Sequence, residues 1–158
     1  MPEITPNLWF DTQSKDAAEF YVSVFPNSEI TNVSYYTGAG PLPEGTVMMV
    51  DFVLDGVRFT ALNGGPQFTF DEAVSFVINC ADQNEVDYYW DKLTADGGEE
   101  SQCGWLKDKF GLSWQVTPIE LETLVTGSDR ARAERAMKAM FSMQKIDIAT
   151  IKAAADAA

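Results

Sequence analysis

Two short stretches, Gly56-Val57-Arg58-Phe59 and Gly111-Leu112-Ser113-Trp114, repeat one pattern 55 residues apart: a glycine opens a run of alternating apolar and polar side chains. A second repeat, with an offset of 69 residues, lies upstream and predicts two helices that each bury one apolar face. Its members are Ala17, Phe20, Tyr21 and Val24, and then Val86, Tyr89, Trp90 and Leu93. Both halves therefore predict strand, helix, strand, strand, strand, which makes an α+β protein of two βαβββ modules. Chance recurrence and a ferredoxin-like duplication are the alternatives.

The first half contains the clearest local signal, a β-hairpin turned by Asp55-Gly56. This dipeptide supplies the positive φ angles that a two-residue turn needs. Ser14 is expected to cap the first helix, and the Gly- and Pro-rich residues 37–45 predict a loop. The remaining predictions are strands over 4–10, 30–36, 46–54 and 57–62 and a helix over 15–25.

The second half is 14 residues shorter between its helix and its last strand, so we expect one of its strands to be stunted. Its predicted strands cover 73–80, 99–104 and 112–117, and its helix covers 84–95. After Pro118 the pattern becomes helical over 119–126, over 129–142 with Ser128 as cap, and from 147 to the end. We therefore predict one domain over 1–118, with modules 1–66 and 73–118, and a helical extension over 119–158.

The composition excludes several classes of function. The 158 residues carry 24 acidic and 11 basic side chains, a net charge of −13, and no histidine. An acidic surface repels phosphate backbones and anionic lipids, which argues against nucleic-acid and membrane partners. The missing imidazole removes the commonest metal ligand and general base. With no export signal or membrane span in the sequence, Cys80 and Cys103 are expected to stay thiols in a cytoplasmic protein.

Several longer segments resemble a known family. They are Trp9-Phe10-Asp11, Ala18-Glu19-Phe20-Tyr21, Ala61-Leu62-Asn63-Gly64-Gly65-Pro66, Ser75-Phe76, Gly97-Gly98-Glu99, the long run from Cys103-Gly104-Trp105 to Ser113-Trp114-Gln115, and Lys145-Ile146-Asp147-Ile148-Ala149. The chain resembles the vicinal oxygen chelate superfamily of glyoxalases, bleomycin-resistance proteins and extradiol dioxygenases. Within it, the sequence is most similar to the PhnB-like branch, which is labelled demethylubiquinone methyltransferase-like.

The resemblance implies a curled eight-stranded cup and four positions at which metal-using relatives place their ligands. These positions correspond to Gln115, to Thr60, to a residue near Asn7 and to Ser75 or Phe76. None of them is His, Asp or Glu, and amide or hydroxyl groups alone bind divalent metals weakly. We therefore expect no metal and no cofactor.

The methyltransferase label implies a cofactor cradle that the sequence does not contain. Such enzymes usually bind their cofactor at a Gly-rich turn between a first strand and a helix. The glycine clusters at 38–40, 64–65 and 97–98 each end an element instead of opening a helix. Methyl transfer is accordingly disfavoured.

Two classes of function remain. In the first, the protein binds a small organic ligand without catalysis, as the resistance proteins of the superfamily do; in the second, it is an enzyme whose Gln115, Asn63 and a nearby carboxylate orient a substrate. Cys103 lacks a histidine base, and Asp11, Asp82 and Asp108 are expected to be solvated turn residues. No catalytic residue is assigned, and the ligand-binding candidates are Trp9, Thr60, Asn63, Cys103, Trp105 and Gln115.

The sequence also predicts a homodimer. Sheet edges need cover, and the C-terminal helices carry an apolar set that a two-fold partner would bury. This set is Met137, Met140, Phe141 and Ile148, with Met143 close by.

Overall fold

The computed structural model describes residues 1–157, which divide into two compact units, one of residues 1–70 and one beginning at Asp71. Each unit contains one βαβββ module whose four strands form a mixed sheet, and neither sheet closes into a barrel within the described residues. The predicted α+β class is confirmed, and each module has the βαβββ order that the resemblance to the vicinal oxygen chelate superfamily implies. The ferredoxin-like alternative is wrong because three consecutive strands follow each module's helix.

Unit one builds its sheet in the order β1-β4-β3-β2, with β1 parallel to β4 and the other pairs antiparallel. The hairpin prediction is confirmed, since Asp55 and Gly56 have φ angles of 46° and 85°. The elements are β1 (Asn7–Phe10), α1 (Ser14–Val24), β2 (Glu29–Tyr35), β3 (Val47–Leu54) and β4 (Val57–Asn63). Alternate strand residues form the core under α1: Leu8, Phe10, Val50, Phe52, Phe59 and Ala61.

Unit two repeats this order as β5-β8-β7-β6. Its elements are β5 (Ser75–Cys80), α2 (Gln83–Thr94), β6 (Glu99–Glu100), β7 (Trp105–Lys107) and β8 (Ser113–Pro118). The stunted strand is β6, which has two residues. The predicted strand over 99–104 is wrong beyond Glu100, because Cys103 and Gly104 turn the chain with φ angles of 57° and 84° and β7 returns antiparallel to β6.

Three further helices belong to unit two: α3 (Glu120–Thr126), α4 (Arg130–Phe141) and α5 (Ile148–Asp156). They share a core of Leu121, Leu124, Ala136, Ile146, Ile151 and Ala155. Met140, Met143 and Ile148 pack against this core, so their apolar character is explained within the chain. Met137 and Phe141 remain 39% and 62% exposed. The homodimer stays a prediction, now resting on fewer residues.

Helix capping corrects two details of the sequence analysis. Ser14 does not cap α1, because it is the first helical residue and its hydroxyl is buried without a hydrogen-bond partner. Asp129, and not Ser128, caps α4, since its carboxylate accepts the Arg132 N–H at 3.1 Å. At α4, the aspartate that follows the expected serine supplies the acceptor for the first-turn N–H instead.

The segment between α4 and α5 is attached to module two by paired hydrogen bonds. The Gln83 side chain donates from Nε2 to the Ile146 carbonyl at 2.9 Å and accepts the Ile148 N–H at 3.0 Å. The N–H groups of Cys103 and Gly104 donate to the carbonyls of Met143 and Gln144 at 2.9 and 2.8 Å. The extension is therefore fixed to α2 and to the β6–β7 connection. Among the helices of residues 1–157, none has the length and apolarity required to span a membrane.

Candidate functional site

The face of sheet one away from α1 carries the first-module candidates Thr60 and Trp9. Thr60 is the register partner of Asn7, and its hydroxyl donates to Asn7 Oδ1 at 2.6 Å. These are two of the positions at which the resemblance implied metal ligands. The two neutral side chains hydrogen-bond to each other, which gives no anionic oxygen for a divalent ion.

Trp9 is held in one orientation by the loop after β4. Its indole Nε1 donates to the Gly65 carbonyl at 2.9 Å, and its ring meets Phe68 edge-on with 4.9 Å between centroids. A Cβ on Gly64 would overlap the indole ring, so this glycine is needed for the close approach. The Gly64-Gly65-Pro66 motif thus positions Trp9 on the sheet.

Asn63 occupies a buried position, 4% exposed, where its side chain and its carbonyl form hydrogen bonds within the protein. Its Oδ1 accepts the Ser14 N–H at 2.8 Å and its Nδ2 donates to the Val47 carbonyl at 3.1 Å. Its own carbonyl accepts the Tyr36 hydroxyl. Asn63 therefore ties the start of α1 to the start of β3, which is a structural role for this amide.

Gln115 and Trp105 lie on the face of sheet two away from α2. They are register partners on β8 and β7. Gln115 Nε2 donates to Ser75 Oγ at 2.9 Å, which mirrors the Thr60–Asn7 pair of module one. The structure thus brings Trp105, Gln115 and Ser75 to one surface, while Trp9, Thr60 and Asn63 belong to the other unit.

Cys103 is half-buried beside the turn that leads into β7. Burial raises the pKa of its thiol, the opposite of the shift that an activated nucleophile needs. The adjacent Gly104 has a φ of 84°, and a Cβ there would lie 2.8 Å from the Val116 carbonyl oxygen. The Cys103-Gly104 motif is explained by this turn and by its backbone bonds to the segment before α5.

A cavity of about 130 Å³ lies beside the short β6–β7 hairpin. Trp105, one of the predicted ligand-binding residues, forms its aromatic wall. Its lining is Glu72, Glu99, Glu100, Ser101, Trp105, Leu106, Lys107 and Ser113. The volume corresponds to about four water molecules at ~30 Å³ each, so it accommodates a small ligand or one end of a larger one.

The charges around this cavity are mainly negative. Lys107 forms an ion pair with Glu72, and the hydrogen bond between them lowers the pKa of the Glu72 carboxyl and raises that of the lysine. Glu99 and Asp71 also act on Lys107 and favour its charged form. The single ammonium is therefore surrounded by three carboxylates, which leaves an excess of negative charge.

Ser113 is one of the cavity residues that the sequence analysis did not name as a ligand-binding candidate. It is 1% exposed, and its hydroxyl has no hydrogen-bond partner. In the sheet it pairs with Lys107 on one side and Ser75 on the other, so its side chain shares their face. Its alternation with Leu112 and Trp114 indicated this face, but its burial depends on packing that the sequence does not encode locally.

Asp108 contradicts the expectation that turn carboxylates are solvated. It is 2% exposed. Its Oδ1 accepts the N–H groups of Phe110 and Leu112 at 2.8 and 3.1 Å, and its Oδ2 accepts the Trp114 indole N–H at 2.9 Å. Asp82 instead caps α2 by accepting the Glu85 N–H at 2.9 Å. Both carboxylates have structural roles.

The side chains that could bind a metal do not form a metal centre in the described residues. Within residues 1–157, no three His, Cys, Asp or Glu side chains come together in a way that would hold an ion. In each unit the candidate ligand positions carry neutral groups, Thr60 and Asn7 in one and Gln115 and Ser75 in the other, and such groups are poor ligands for a divalent ion. The residues present therefore do not fit the metal that the sequence resemblance implied.

Comparison with known proteins identifies the family. The family model for 3-demethylubiquinone-9 3-methyltransferase matches residues 2–117. A Bacillus cereus PhnB protein with the same family description is 35% identical, aligns over 74% of this chain and 99% of its own, and superposes with a TM-score of 0.67. A Pseudomonas aeruginosa protein is 19% identical over 75% of this chain and 98% of its own, with a TM-score of 0.60, and shows the fold alone. Among curated proteins, none matches significantly. The chain therefore belongs to the PhnB-like 3-demethylubiquinone-9 3-methyltransferase family.

Proposed function

We propose that this protein binds a small organic molecule without a metal, in the manner of the resistance proteins of its superfamily, and that module two holds the ligand. The observation that carries this proposal is the cavity beside β6 and β7, with Trp105 as its aromatic wall and the unpartnered hydroxyl of Ser113 in its lining. Small-molecule sites combine an apolar surface with a few polar groups that fix orientation. An unsatisfied buried hydroxyl gains a full hydrogen bond when a ligand supplies the partner.

The chemistry of the same region supports binding over catalysis. A general acid in an apolar wall would have a raised pKa, whereas Lys107 lowers the pKa of Glu72. A nucleophilic thiol would have a lowered pKa, whereas burial raises that of Cys103 and raises that of Cys80 to about 12. With these pKa shifts, the Glu72 carboxylate stays ionised and both thiols stay protonated near neutral pH, so none of them is suited to proton transfer or nucleophilic attack.

Methyl transfer, which the family description names, is the enzymatic alternative. Both module helices follow their first strands through short connections, Asp11-Thr12-Gln13 and Ala81-Asp82, that contain no glycine. A Gly-rich turn is the usual way for a backbone to approach a nucleotide-like cofactor closely. The local sequence at these two turns therefore favours the binding proposal.

The proposal is tested by nuclear magnetic resonance with ¹⁵N-labelled protein and a panel of small amines, alcohols, carboxylates and phenols. Bound compounds are expected to shift the amide signals of β6, β7 and Ser113, and Trp105→Ala is expected to weaken binding about tenfold, because an aromatic wall contributes roughly 1–1.5 kcal/mol. Phe141→Ala, an exposed aromatic on α4, serves as the matched control and should leave binding unchanged. Transfer of a methyl group from S-adenosylmethionine to any phenol in the panel would instead favour the enzyme.

A further inference from the structure

The cavity beside the β6–β7 hairpin is lined by more carboxylates than cations, which favours a positively charged ligand. We propose that it binds a small organic amine in its protonated form, with the ammonium group between Glu99 and the Ser113 hydroxyl and the carbon chain against Trp105. This inference rests on the proposed function and specifies its ligand.

Charge complementarity is the first support. Glu72, Glu99 and Glu100 line the cavity together with one cation, Lys107. Lys107 is committed to Glu72 through their ion pair, and Glu100 accepts the Trp90 indole N–H at 2.7 Å. Glu99 thus remains as the carboxylate with which a bound cation pairs, next to a lysine that is already neutralised. An anionic ligand would meet this excess of carboxylates and be repelled.

The buried hydroxyl of Ser113 is the second and independent support. Its side chain is 1% exposed and has no partner, although a buried hydroxyl without a hydrogen bond is unfavourable by about 1–3 kcal/mol. A hydroxyl oxygen has two acceptor lone pairs, and an ammonium group has three donors. One N–H of the ligand donated to Ser113 Oγ and another to Glu99 would satisfy both groups.

Trp105 supplies the third feature. It is half-buried at the start of β7 and lines the cavity on the strand that also carries Lys107. Tryptophan is the best aromatic partner for an organic cation, and its indole also covers a short aliphatic chain. The volume of about 130 Å³ limits the enclosed part of the ligand, so a chain of about five non-hydrogen atoms is the appropriate size.

The test uses three probes of equal length and different charge: butylamine, 1-butanol and butanoate, titrated into the full-length ¹⁵N-labelled protein at pH 7. Butylamine is expected to shift the amide signals of Glu99, Lys107 and Ser113 and to bind at least tenfold more tightly than 1-butanol, and butanoate is expected not to bind. Equal or tighter binding of the alcohol or the carboxylate would overturn the amine assignment and leave the binding proposal standing. If no probe of any charge shifts these signals, both are overturned.

Two variants with matched controls test the residues. Ser113→Ala is expected to weaken butylamine binding about tenfold, and Ser14→Ala, which removes the other unpartnered buried hydroxyl in a different unit, should leave it unchanged. Glu99→Gln should remove the preference for butylamine over 1-butanol, while the equally charged change Glu122→Gln, on α3, should preserve it. A preference that survives Glu99→Gln would contradict the role of this carboxylate. Signal dispersion in the same spectra shows whether each variant is folded.

Discussion

The two modules share one strand order and differ in their outer hairpins. In module one, β2 has seven residues, Glu29–Tyr35, and six of them pair with β3. In module two, β6 has two residues and pairs only with Lys107 and Leu106. On the sheet faces away from the helices, each module joins two polar side chains, Thr60 to Asn7 and Gln115 to Ser75.

The shorter hairpin changes what module two can do. The edge strand β6 has two residues, and the cavity lies beside this short hairpin, lined by the hairpin itself and by Ser113 of β8. The shared strand order thus stabilises both modules, and module two, with the shorter hairpin, also has the cavity. Stability and ligand capacity are therefore expected to depend on different residues in the two modules.

The largest expected difference concerns the turns before the last strands. Asp108→Ala should lower the free energy of unfolding by about 3 kcal/mol, because it leaves two backbone N–H groups and the Trp114 indole N–H unpaired in a buried turn. In module one, Asp55→Ala should lower it by about 1 kcal/mol, since the exposed Asp55 contributes chiefly its tolerance of positive φ. Urea denaturation of both variants measures the difference, and equal losses would show that the two turns are equivalent.

The second comparison concerns two asparagines of module one. Asn63→Ala should lower the free energy of unfolding by about 2–3 kcal/mol, because it removes the hydrogen-bond partners of the Ser14 N–H and the Val47 carbonyl. Asn7→Ala removes an exposed hydrogen bond to Thr60 and should cost less than about 0.5 kcal/mol. Thermal unfolding followed by circular dichroism separates the two. A small loss for Asn63→Ala would mean that this amide does not hold α1 to β3.

The sequence predicted the elements that depend on local chemistry. The Asp55-Gly56 hairpin and both amphipathic helices follow from turn geometry and apolar spacing, and the 14-residue deficit predicted a stunted strand. The β6–β7 hairpin was missed because Cys103, a residue that rarely takes positive φ, makes the turn with Gly104. Local patterns do not show such a turn, whose backbone N–H groups bond to residues 40 positions away.

The candidate site was predicted only in part, for a physical reason. Trp105 and Gln115 were named as candidates because they lie in a distinctive motif, and the structure puts them on one face. Ser113, Glu72 and Glu99 were not singled out, because their importance arises from where Lys107 and the hairpin bring them. Asp108 looked like a solvated turn residue because its residue type and position in a turn do not show that its carboxylate points inward, where it accepts hydrogen bonds from Phe110, Leu112 and Trp114.

The smallest expected effect concerns the ion pair between Asp87 of α2 and Lys145, which precedes α5. Module one has no equivalent pair, because the helical extension belongs to unit two. The atoms Lys145 Nζ and Asp87 Oδ1 are 2.8 Å apart, but both side chains are more than a third exposed. Solvent screening therefore limits their coupling to about 0.5 kcal/mol, which a double-mutant cycle with Asp87→Asn and Lys145→Gln measures.

The hydrogen bond from Lys145 lowers the pKa of Asp87 below its ordinary value of 3.8, and the same bond raises the pKa of Lys145 above 10.5. The carboxylate contribution is complete above pH 3.8 and is lost as the pH falls through the lowered pKa. The ammonium contribution is complete below pH 10.5 and is lost as the pH rises through the raised pKa. The coupling should accordingly be constant near neutral pH, decline in acid, and shrink in 1 M salt. On α1, the pair Lys15–Glu19, with 3.8 Å between its charged atoms, provides a reference that should be no larger than about 0.3 kcal/mol. A coupling that grows in acid would contradict the assignment of the effect to this pair.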